Sequence, residues 1–189
     1  MNVRRQAGRS SEAVQVLGID PGLAITGYGL LKMENDKCTV LNYGCIRTPA
    51  GQELPQRLLA VFEGICSLIN QYSPGVMAVE QLFFCKNVRT ATQVGEARGA
   101  ILTAAAVHNV PIVEYTPLQI KQAVAGYGKA EKKQVQQMVS LILKIAEPPQ
   151  PDDAADALAV ALCYLQSRRW DEAVGKLDSW KVGKAKKTR

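Results

Sequence analysis

Apolar positions in this chain recur in two periods, and the switches between them mark the elements. Val16-Leu17-Gly18-Ile19 is a short apolar run that stops on Asp20 and then turns at Pro21-Gly22, the pattern of a strand that ends abruptly. Residues 26–33 and 39–46 alternate as two further strands, joined near the turn-prone pair Asn35-Asp36, so the opening predicts an antiparallel meander. Residues 55–72 then change to helical spacing, with Leu58, Phe62, Ile65 and Ile69 on one stripe, Pro55 in the first turn, and Ser73-Pro74-Gly75 as the stop. Val76-Met77-Ala78-Val79-Glu80 repeats the opening motif. An alanine-rich helix over 89–109, a strand over 111–115 and a helix from Pro117 follow, the last broken at Gly126-Tyr127-Gly128. Residues 131–145 predict an amphipathic helix burying Val135, Met138, Ile142 and Ile145, and the stiff Pro148-Pro149-Gln150-Pro151 connector leads into a helix opening Asp152-Asp153-Ala154-Ala155-Asp156. Beyond Arg168 the pattern dissolves, which predicts a 14–168 domain between a flexible basic extension at 1–13 and a flexible basic tail at 169–189.

The carboxylates at the ends of these elements change the picture. An apolar strand cannot hold an unpaired carboxylate in its interior without a large desolvation penalty, so Asp20 is expected where its strand emerges into a solvated site. Glu80 ends a second apolar strand in the same way, and Asp153 and Asp156, at i and i+3, share one face of a late helix. Asp20 and the helix acids have ordinary explanations when taken alone, Asp20 as a turn residue and the helix acids as caps and macrodipole partners, with Asp152 the expected N-cap; Glu80, closing a buried strand, is less easily explained so. Spacing also leaves Asp152 with Asp156, at i and i+4, as an alternative pair. Taken together, the acids make a set of hard oxygen donors from three elements. Such a set suits magnesium, and two ions about 4 Å apart can activate water and stabilise a leaving oxygen in phosphoryl displacement.

Composition narrows the classes. The 189 residues suit one domain with a sizeable core, and no apolar run approaches a membrane span. Five scattered cysteines without a C-x-x-C pair read as small core residues of a reducing compartment, so the cytoplasm is the expected location. His108, the single histidine, argues against a histidine-rich metal site, and there is no P-loop. The net charge of +6 is carried by the two ends, leaving the body near neutral, but Lys86, Arg89, Arg98, Lys121, Lys129, Lys132 and Lys133 concentrate basic charge within 86–133.

Leu17-Gly18-Ile19-Asp20-Pro21-Gly22 with Thr26-Gly27-Tyr28-Gly29, then Val79-Glu80-Gln81-Leu82-Phe83, then Asp153-Ala154-Ala155-Asp156-Ala157-Leu158-Ala159 resemble the RuvC-type Holliday-junction resolvases. Gly95-Glu96-Ala97-Arg98-Gly99 and Ala130-Glu131-Lys132-Lys133-Gln134-Val135 fit the same pattern. The resemblance spans residues 14–166. It implies an α/β, ribonuclease-H-like fold with a mixed five-stranded sheet flanked by helices, and metal-dependent nicking of two symmetric strands of a four-way DNA junction in recombination and repair. By that resemblance Asp20, Glu80, Asp153 and Asp156 are catalytic metal ligands, two Mg2+ ions bind per subunit with Mn2+ able to substitute, and the protein is a homodimer serving a branch-migration motor complex of the RuvA and RuvB type.

The family also places an aromatic at Phe83 that stacks on a base, although an apolar Leu82-Phe83-Phe84 exit could equally be core. Lys121 and Lys132 match basic positions beside the scissile phosphate, where isolated lysines are otherwise simply solvated, and Lys86 and Arg89 are further candidates for phosphate contacts. Gly95 and Gly99, four apart on one helix, fit either a dimer contact or packing on the chain's own sheet. Competing readings are a YqgF-type nuclease, an actin-like phosphotransferase, for which the chain is too short, and a junction-binding module without cutting activity.

Overall fold

The structure is a computed structural model that describes the backbone of residues 13–81 and 88–185, with side chains for 13–81 and 91–169. The elements run β1 (Val14–Asp20), β2 (Ile25–Glu34), β3 (Lys37–Arg47), α1 (Leu54–Tyr72), β4 (Val76–Glu80), α2 (Val88–Val107), β5 (Ile112–Tyr115), α3 (Pro117–Ala125), α4 (Lys132–Leu143) and α5 (Asp152–Ala185). The expected meander is present: β1, β2 and β3 pair antiparallel, and Asn35 and Asp36 both take positive φ at the hairpin between β2 and β3, as a tight right-twisted hairpin requires. β4 and β5 then join in parallel on the other side of β1, giving the order β3-β2-β1-β4-β5.

Strand alternation divides the core in two. Leu17, Ile19, Met77 and Val79 face one side with Val61 and Ile65 of α1 and Ile101, Ala104 and Ala105 of α2. Val16, Val76 and Ala78 face the other with Ile120 of α3, Val135 and Val139 of α4, and Leu158 and Val160 of α5. Asp20 and Glu80 have the parity of Val16 and Val76, so both carboxylates project toward the face that carries α3, α4 and α5.

α5 comes close to the sheet because glycines make room for it. A side chain at Gly18 would run into Ala157 and Ala161, one at Gly27 into the Asp153 backbone, and one at Gly29 into Leu158. Gly18 and Gly29 are paired across β1 and β2, as are Asp20 and Gly27, so these glycines form one strip along the seat.

Several expectations shift. The buried face of α1 is Val61, Ile65, Leu68 and Ile69, with Phe62 only partly covered, because α1 packs against α2 as well as the sheet. On α4, Val139 and Ser140 join Val135 at full burial, whereas Met138, Ile142 and Ile145 are partly buried. Asp152 is the first helical residue of α5 and not its N-cap. Cys163 alone among the described cysteines is fully buried; Cys38, Cys45 and Cys66 are half-buried, and all four are free thiols. The α5 backbone stays helical to Ala185, past the point where the sequence pattern fades. Among the described residues no helix is long and apolar enough to cross a membrane.

Candidate active site

β1 and β4 are parallel neighbours, with Ile19 beside Val79, so their C-terminal residues Asp20 and Glu80 end at the same edge of the sheet. The turn after Asp20 is held firmly. Thr26, fully buried, donates through Oγ1 to the Gly22 carbonyl at 2.6 Å, and Thr48 donates to the Leu23 carbonyl at 2.5 Å while accepting from Arg57 Nε at 2.9 Å. α5 brings its first turns over this edge. Asp153 and Asp156 are half-buried there, the Asp153 backbone against Gly27, and Asp152 is exposed.

Crowding of acids dominates the electrostatics. Burial pushes the Asp20 carboxyl up to about 8, with Glu80, Asp156 and Asp153 adding repulsion and Lys132 opposing it. Glu80 rises to about 7, again through burial first and Asp156 second; Lys121, Lys132 and a hydrogen bond from Asp20 pull the other way. Asp156 is raised by burial, offset by its bond to Lys132. Lys132 Nζ lies 2.8 Å from Asp156 Oδ2 and 3.6 Å from Asp152 Oδ2, and its own pKa, which burial lowers, ends raised through Asp156. Among the described residues no three Asp, Glu, His or Cys side chains are already spaced to hold a metal ion. The carboxylates are electrostatic neighbours crowded around the Lys132 ammonium.

Comparison with known proteins meets this geometry directly. The family model described as crossover junction endodeoxyribonuclease RuvC matches residues 16–164. The chain belongs to the RuvC family. The crossover junction endodeoxyribonuclease RuvC of Moorella thermoacetica is 54% identical over 155 residues, 82% of this chain and 93% of that protein. Its Alkaliphilus metalliredigens counterpart is 53% identical over 152 residues, 80% of this chain and 93% of that one. The structure of T. thermophilus RuvC in complex with a Holliday junction substrate superposes with a TM-score of 0.79 at 35% identity, covering 84% of this chain and 96% of that chain. The mixed sheet and this likeness place the fold in the ribonuclease-H-like class, as the resemblance implied.

Against that RuvC frame, the remaining candidates divide. Lys121, on α3, and Lys132, at the start of α4, both act on the Glu80 carboxyl, so the two helices bring them to the acids. Phe83 and Lys86 lie outside the described residues, and Arg89 is described only as backbone in α2. Gly99 is exposed, with open space where a Cβ would be. Arg98, one of the basic residues of the 86–133 segment, instead pairs with Glu114 of β5. Sequence reasoning missed the seat of α5 and the clamp around the turn; the alternating Gly27 and Gly29, set against Gly18, were the available signal for the former, while the Thr48 clamp spans 25 residues and has no local signature.

Proposed function

We propose that this chain resolves four-way DNA junctions by nicking two strands symmetrically, with Asp20, Glu80, Asp153 and Asp156 as the catalytic carboxylates. The observation that carries this reading is their convergence at one sheet edge, where Asp20 is pushed up to about 8 and Glu80 to about 7. Half-buried acids that repel one another and are only partly offset by Lys121 and Lys132 are poor at holding DNA phosphates and well suited to a hard divalent ion, so the donor set fits magnesium. Asp20, Glu80, Asp153 and Asp156 would hold two Mg2+ ions per subunit, or Mn2+ in their place, and the ions would supply an activated water and charge stabilisation of the leaving oxygen.

The chain's own residues do the rest. Asp20 and Glu80 would release any bound proton to solvent on holding the ions, and Lys121 and Lys132, which already act on these acids, would offset charge developing on the phosphate. Phe83 stacks on a base, and Lys86 and Arg89 contact phosphates along the arms. The open face at Gly99 supports a homodimer whose two sites cut the paired strands. Delivery by a branch-migration motor complex of the RuvA and RuvB type, in the cytoplasm, completes the reading, and the division into a 14–168 domain with basic ends remains part of it.

The exposure of Asp152 and the seating of Asp153 against Gly27 favour Asp153 as the ligand. With a synthetic four-way junction and magnesium, Asp153→Asn is expected to lose at least about 100-fold in cleavage rate, equivalent to about 2.7 kcal/mol, and Asp152→Asn to stay within a few-fold of the unaltered chain. The reverse pattern would move the ligand to Asp152. Sedimentation that finds only monomer at micromolar protein would remove the dimer.

A further inference from the structure

The corner between α3 and α4 carries a feature that the carboxylate chemistry does not use. Of the large apolar side chains exposed among the described residues, Tyr127 is the one aromatic, at 48% exposure. Leu118, at 54%, reaches from α3 to lie against Gly128, the neighbour of Tyr127. Single exposed apolar residues are ordinary, but this pair sits in a basic setting. Lys121 is on the same helix as Leu118, Lys129 and Lys133 are exposed nearby in the chain, and Lys132 begins α4.

The ring is also held in place. The Tyr127 hydroxyl donates to Gln134 Oε1 at 2.7 Å, and the same oxygen accepts the Glu131 backbone N–H at 2.9 Å. The phenol is therefore tied to the first turn of α4, whose Lys132 reaches Asp156 at 2.8 Å. An aromatic presented to solvent and fixed in orientation loses little side-chain entropy when a flat partner covers it. Cationic charge around a fixed aromatic face is the combination that recognises nucleic acid through phosphates and base faces together.

We propose that Tyr127, with Leu118 beside it, is a stacking ledge for an unstacked base of the bound junction, on the α3–α4 side of the carboxylates. The ledge rests on the nuclease reading above. It assigns sequence-tolerant affinity to a residue outside the acid cluster, distinct from the charge supplied by the lysines.

The test uses the full chain and a fluorophore-labelled synthetic four-way junction in chelator, so that binding is read without cutting. Tyr127→Ala is expected to weaken binding by roughly tenfold, with the slope of log affinity against log salt unchanged because no charge is removed. Its melting temperature should match the unaltered chain. Tyr127→Phe, which keeps the ring and loses the bond to Gln134, should bind within about threefold of it. Leu118→Ala should lose less than Tyr127→Ala. Unaltered affinity in Tyr127→Ala, or a loss accompanied by a drop in melting temperature, would overturn the ledge, as would equal losses in the Phe and Ala variants. If the nuclease reading itself were wrong, the unaltered chain would show no preference for the junction over linear duplex, an outcome separate from all of these.

Discussion

At Asp20 the chemistry can be followed through a single proton. A carboxyl whose pKa in the folded chain lies above its unfolded value binds more protons folded than unfolded between those two values, so it costs stability as pH rises through that window. For Asp20 the window runs from 3.8 to about 8, and for Glu80 from 4.5 to about 7. Both contributions are absent below the unfolded values and fully felt above the folded ones. In chelator, the melting temperature of the unaltered chain is therefore expected to fall from about pH 5 to about pH 8 through these two groups. Asp20→Asn should raise it by several degrees at about pH 8.5, where each kcal/mol is roughly 2–4 °C at this chain length, and leave it unchanged near pH 4. Magnesium should stabilise the unaltered chain more than Asp20→Asn. A variant that melts below the unaltered chain at high pH would show that Asp20 is not a strained acid. Residue identity alone put Asp20 and Glu80 at strand ends, because an acid closing an apolar run has few other places to go. It could not choose between Asp152 and Asp153, since i, i+3 and i, i+4 share a helix face; in the fold Asp152 is exposed and Asp153 half-buried with its backbone against Gly27.

Among the elements, α5 does the most to position the site, and its placement depends on what the sheet leaves out. A methyl group at Gly18 would meet the Ala161 Cβ at 2.8 Å and press on the Ala157 carbonyl, so α5 would have to lift away from β1. Gly18→Ala is expected to destabilise the chain by about 3 kcal/mol in urea melts and to weaken magnesium-dependent cleavage of whatever remains folded. Gly99→Ala is the matched control: its Cβ meets open space in a helix, so the monomer should gain about 0.5–1 kcal/mol. Equal destabilisation by both would refute the seat. The strands and helices were legible because their apolar periods differ and their punctuation is strong, as at Asn35-Asp36 and Ser73-Pro74-Gly75. The stripe of α1 was misread by about one position because periodicity reports that a face is buried but not how it divides between the sheet and α2. The seat itself was hidden, since Gly27 and Gly29 read locally as weak strand residues until their partner across the ladder is known.

For the whole molecule, convergence follows from parity and direction together. β1 and β4 run parallel, end at one edge and turn their final acids to the same face, and α5 crosses that face with two more. The parallel pairing joins segments separated by β2, β3 and α1, so no local pattern announces it; only the repeated form of the two runs hinted that they belong side by side. The same face collects Lys121 and Lys132, which set two positive charges beside the acids. If these lysines meet phosphates, Lys121→Ala should weaken junction binding about equally for different junction sequences and reduce the salt slope by about 1. An unchanged slope would assign Lys121 to the acids alone. The central claim is tested most directly by giving Asp20→Asn and the unaltered chain the same synthetic four-way junction with magnesium, and scoring binding and strand cleavage together. Paired, symmetric nicks by the unaltered chain, and retained binding with at least about 1,000-fold slower cutting, equivalent to about 4 kcal/mol, by Asp20→Asn are expected. Near-normal cutting by Asp20→Asn, or binding without any nicks by the unaltered chain, would contradict the account.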